Sequence, residues 1–74
     1  MDIRQVLENY VGKKVVLKSP VKSLVGGNRG VTIQRLQDDH FVAEGEHGIL
    51  YYVAFDGISV MSTTGTGVLQ IQLK

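Results

Sequence analysis

The stretch Ile49-Leu50-Tyr51-Tyr52-Val53-Ala54-Phe55-Asp56-Gly57-Ile58-Ser59-Val60-Met61 decides the fold. Residues 49 to 55 are apolar or aromatic throughout, which reads as a strand apolar on both faces and so central in its sheet, or covered on both sides. Asp56-Gly57 punctuates the run, and residues 58 to 61 resume a strand immediately afterwards. That gap admits a single 3₁₀ turn and no helix. Towards the C-terminus, residues 63 to 67 form a flexible link to residues 68 to 73, where Leu69, Ile71 and Leu73 alternate with Gln70, Gln72 and Lys74. Such alternation gives a strand one apolar face. Towards the N-terminus, Gly45 and Gly48 bracket a polar connection, residues 41 to 44 begin another strand, and Asp38-Asp39 make the turn into it. Before that turn, Val31, Ile33 and Leu36 alternate with a slip of one residue, as a β-bulge produces.

Val15 and Leu17 point to one side of a first strand and Val16 to the other. Pro20 ends that strand or makes it an edge, because proline has no amide hydrogen to donate, and residues 21 to 25 are read as its continuation. Gly26, Gly27, Asn28 and Gly30 supply the positive-φ positions of a hairpin. No Gly-Lys-Ser/Thr follows them, so they do not form a phosphate cradle. Ahead of the strands, Ile3, Val6, Leu7 and Tyr10 fall on one face of a helix spanning about residues 3 to 10. Asp2 is suited to cap its start and Gly12 to close its end. Eleven valines against two alanines favour strands elsewhere.

A chain of 74 residues makes one domain, 1 to 74, near the lower limit of independent stability. It has no cysteine, so neither a disulfide nor a zinc–thiolate site can staple it, and a domain this small then leans on oligomerisation. The net charge of +1 argues against a dedicated polyanion binder. Residues 1 to 37 carry seven basic and two acidic residues, a formal +5, and residues 38 to 74 carry one and five, a formal −4. Opposite halves attract within a fold or between subunits packed head to tail. No apolar run reaches the roughly 18 residues that cross a bilayer, and the acidic start is unlike a signal peptide, so the expected location is the cytoplasm, with no membrane partner.

In three places the order of signals resembles the Sm-like family, which includes the Hfq-type bacterial RNA chaperones. Tyr10-Val11-Gly12-Lys13-Lys14-Val15 looks like its helix-to-first-strand junction. Ile33-x-x-Leu36-x-x-Asp39-x-Phe41-Val42 is similar to the bent second strand, aspartate turn and entry to the third. Residues 51 to 60 look like the strand, 3₁₀ turn and strand of the second family motif. The resemblance covers residues 3 to 62 and implies a short N-terminal helix (1 to 12) and a strongly bent, five- or six-stranded antiparallel Sm-like or SH3-like barrel (core 13 to 62). Residues 68 to 73 make an extra C-terminal strand. It also implies a ring built by edge-strand pairing. Where RNA-binding members place an Asn after the third-strand aromatic this chain has Val42 and Ala43, and where the chaperones carry Lys-His it has Asp56-Gly57. The implied property is ring assembly rather than RNA chaperoning.

The chemistry readable from residue types is sparse. His40 beside Asp38 and Asp39, and His47 beside Glu44 and Glu46, are read as solvated turns and not as a metal site. Ser19, Ser23, Ser59 and Ser62 lack a nucleophile motif, so no catalytic residue, cofactor or small-molecule substrate is expected. The first functional expectation is an interaction module. Its edge is supplied by residues 51 to 55 or 68 to 73, with Tyr51, Val53, Phe55, Leu69, Ile71 and Leu73 at the oligomer interface. The alternative is single-stranded RNA binding through Asp39, Phe41, Tyr51, Tyr52, Lys14, Lys18, Arg29 and Arg35, since such sites stack bases on exposed aromatics beside cations. Adjacent in a strand, Tyr51 and Tyr52 face opposite sides, so one of them is the outward aromatic.

Overall fold

The computed structural model describes residues 2–19 and 28–74. Helix α1 (Ile3–Glu8) precedes six strands: β1 (Lys14–Lys18), β2 (Asn28–Leu36), β3 (His40–Glu44), β4 (Leu50–Ala54), β5 (Ile58–Thr63) and β6 (Leu69–Leu73). A tight turn, Glu46–Gly48, precedes β4, and a one-turn 3₁₀ segment, Phe55–Gly57, follows it. The Asp2 carboxylate caps α1 by accepting from the Arg4 backbone N–H at 3.0 Å. The helix is shorter than its apolar spacing predicts, yet Leu7 is fully buried and Ile3 and Tyr10 pack against the core. The Gly12 N–H, at φ +82°, donates to the Ile33 carbonyl at 2.7 Å, and the Arg4 guanidinium donates to the Gln37 carbonyl. These bonds hold the helix against β2 and the turn after it.

The six strands form one sheet in the order β4-β3-β2-β1-β6-β5. The mainly β reading stands, with two corrections. β6 runs parallel to β1, so the sheet is mixed and not antiparallel throughout. The barrel is open, because β4 and β5 are the two edges and do not pair. The sheet is nonetheless curled. Laid flat, its edges would stand roughly 24 Å apart, whereas the chain from Ala54 to Ile58 reaches at most about 14 Å. The Lys74 N–H, donating to the Gly57 carbonyl at 2.9 Å, ties the end of β6 to this short link.

Alternation places Val15 and Leu17, Val31 and Ile33, Phe41 and Ala43, and Leu69 and Ile71 inside the curl. The slip in β2 is a register shift between Ile33 and Arg35 against β3. Asn28 and Gly30, expected in a turn, belong to β2 and pair with Lys18 and Val16. Pro20, residues 21 to 25, Gly26 and Gly27 lie outside the described residues. The last strand, expected as an addition to a core at 13 to 62, sits inside the sheet between β1 and β5. The largest departure is β4, expected to be central and found at an edge.

Candidate functional site

The β3–β4 hairpin turns through His47 (φ 61°, ψ 25°) and Gly48 (φ 72°). Two successive positive-φ residues, closed by the Ile49 N–H donating to the Glu46 carbonyl at 3.2 Å, make a type I′ turn. Gly45 N–H then donates to the Ile49 carbonyl, and at the far end Phe55 N–H donates to the Asp39 carbonyl. Hydrogen-bonded and non-bonded pairs alternate along an antiparallel ladder. In the β3–β4 register, Tyr51 and Val53 therefore turn their backbone groups towards β3. The N–H and C=O groups of Leu50, Tyr52 and Ala54 point to the open side, where no described strand lies.

The same three side chains face outward. Tyr52 is 64% and Leu50 46% exposed, with Ile49 just before them 49% exposed. Along this edge runs a groove of about 320 Å³ lined by residues 51 to 54, Gly57, Leu73 and Lys74. Its walls are mainly apolar, with Lys74 the one charged residue among those that line it. Behind the edge, the ladder row Arg35, Val42, Tyr52 crosses the outer face. Val42 is fully buried in that row although it lies outside the main core cluster. The His40 ring stands 6.1 Å from the Tyr52 ring, and its Nδ1 is 2.6 Å from Asp39 Oδ1. This hydrogen bond holds the Asp39 carboxyl below its ordinary value, against a smaller opposing effect of desolvation.

The expected interface residues divide. Leu69 and Ile71 are buried in the core, and both sides of β6 are paired, so these two side chains are not available for contact and the strand offers no edge. Val53 is buried, and Tyr51, Phe55 and Leu73 pack against the core while Tyr51 and Leu73 still line the groove. The expected RNA contacts are dispersed as well. Phe41 is fully buried and Tyr51 faces inward, which leaves Tyr52 as the outward aromatic. Lys14 and Lys18 lie on the outer face of β1, whereas Arg29 pairs with buried Leu17 and so has the inward parity. Arg35 is outward beside Val42, and Asp39 is exposed.

The sequence reading did not single out Ile49, Leu50, Ala54, His40 or Lys74 for this site. The signal was the run apolar on both faces, which fits an edge strand with an uncovered outer face as well as a central one. Among the described residues, no group of three or more His, Asp or Glu side chains is placed to hold a metal ion, and no helix is long and apolar enough to cross a membrane. No protein-family model matches the chain, and neither the curated proteins nor the solved structures contain a match to it.

Proposed function

We propose that this protein is an interaction module that assembles with further copies of itself by pairing at the open β4 edge, in the cytoplasm. The observation that carries the reading is the coincidence on one short strand of outward backbone groups at Leu50, Tyr52 and Ala54 with exposed apolar side chains and an apolar groove. An exposed strand edge is a template for another strand, and soluble proteins ordinarily blunt it with charge or proline. β4 has neither. The backbone supplies affinity in such pairing, and the neighbouring side chains supply specificity.

The ring implied by the resemblance to Sm-like proteins is one closed form of this assembly. It requires β4 of one copy to meet β5 of the next, a head-to-tail contact that closes when the rotation allows. Absolute mass in solution across protein concentration tests the assembly. An oligomer that dissociates on dilution supports it, and a stable 8.1 kDa monomer at every concentration overturns it.

One observation favours a second reading, single-stranded RNA binding: Tyr52 is exposed with His40 beside it and Arg35 in the same outer row. Base stacking on Tyr52 would be sequence-tolerant, and cationic support would make it salt-dependent. Binding of a mixed RNA at low salt that falls steeply as salt rises supports this reading. Undetectable binding at low salt removes it.

A further inference from the structure

We propose that the strand received by the β4 edge is β4 of a second copy, paired antiparallel about a two-fold axis through Tyr52. The inference rests on the reading that β4 is an assembly edge, and it selects a dimer in place of the ring. Backbone parity is the first ground. In an antiparallel ladder, a residue whose N–H and C=O point to the partner stands opposite a residue of the same kind. On β4 these residues are Leu50, Tyr52 and Ala54. On β5, the Thr64 N–H donates to the Val68 carbonyl, so in the β5–β6 register Ser62 and Val60 turn to β6 while Met61 and Thr63 turn outward. Antiparallel pairing of β4 with β5 would therefore set Tyr52 opposite Met61 or Thr63. Met61 packs against its own core, and Thr63 pairs in register with buried Leu69 and shares that inward parity. The solvent face of one copy would then run into the core face of the next. Pairing β4 with β4 sets Tyr52 opposite Tyr52 and Leu50 opposite Ala54, and the two solvent faces form one continuous surface.

Shape is the second ground. A two-fold interface must carry a projection and its receptacle at matching distances from the axis. On one side of Tyr52, Ile49 and Leu50 project with nearly half their surface exposed. On the other side, Ala54, Gly57 and Leu73 line the apolar groove. The two-fold brings Leu50 of each copy opposite Ala54 of the other on the outward face, which seats Leu50 at the groove that Ala54 lines. β4 carries no charged residue, so the pairing juxtaposes no like charges within the strands.

The test uses the full chain, which has no cysteine of its own. Directly opposed residues of a hydrogen-bonded pair have Cα atoms about 5.5 Å apart, within the range a disulfide spans. Tyr52→Cys is expected to cross-link to itself on oxidation, and the unmodified protein to have twice the 8.1 kDa chain mass. A mixture of Tyr52→Cys and Met61→Cys is expected to give no mixed dimer. Tyr52→Pro is expected to abolish the dimer without removing a bond within the chain, because the Tyr52 N–H is not used towards β3. Mixed cross-links or an assembly larger than a dimer overturns the two-fold and leaves β4 assembly standing, whereas a folded Tyr52→Pro protein that still dimerises overturns both. A monomer at all concentrations overturns both.

Discussion

The Tyr51 ring lies over the backbone of Gly45, with Cε2 2.8 Å from the point a β-carbon on Gly45 would occupy. Gly45 has φ −100°, which any residue adopts, so the glycine is there for space and not for backbone freedom. Gly30 has a similar neighbour, the Lys14 Cε at 2.7 Å, but that atom belongs to a flexible, exposed side chain. Gly45→Ala is expected to destabilise by about 1 to 3 kcal/mol as the packed ring is displaced, and Gly30→Ala by much less. Urea unfolding of the two variants checks the difference, and equal midpoints would refute it.

His47 occupies a left-handed position that the type I′ turn demands and that favours Asn or Gly. His47→Asn is expected to raise stability by roughly 0.5 kcal/mol, and His47→Val to lower it by about 1 to 2 kcal/mol. Thermal melts of both variants read the sign. A stabilising valine would show that the turn relaxes to another type.

Asp39 is held ionised chiefly by its hydrogen bond from the His40 ring. Because its folded value is depressed, the contact is fully present above the ordinary 3.8 and is lost as pH falls through the lower, folded value. Carboxyl NMR titration should place the Asp39 midpoint below 3.8 in the native protein and return it towards 3.8 in His40→Ala. An unchanged midpoint in that variant would assign the shift to another group.

Phe41 is fully buried in the centre of the core. Phe41→Ala is expected to cost about 3 to 5 kcal/mol, enough to unfold most of a domain this size. Circular dichroism at increasing urea checks it, with Tyr52→Ala, at the exposed surface, expected to retain its fold.

Local patterns were legible because they depend on neighbours in sequence. The spacing of Ile3, Leu7 and Tyr10 and the carboxylate of Asp2 predict α1. The alternation of Leu69 and Ile71 predicts which face of β6 is buried. The bulge after Ile33 follows from the slip in its apolar period, and the 3₁₀ turn after β4 from the two residues between apolar runs. Each is set by backbone geometry over a few residues.

The position of a strand in the sheet is a different kind of property, because the same alternation serves any neighbour. Residues 49 to 55 carry no mark of whether a strand lies on one side or two, and only the assembled order makes β4 an edge. Parallel pairing of β6 with β1 depends on chain direction across more than fifty residues, which composition does not encode. Tyr51 and Tyr52 must diverge by the pleat of any strand, yet it is the inward parity of Ala43, the partner of Tyr51, that sends Tyr51 to the core, and the outward parity of Val42, the partner of Tyr52, that leaves Tyr52 in water. Side-chain alternation is a local fact, whereas register and edge are long-range ones, settled by which faces the closing curl can bury together.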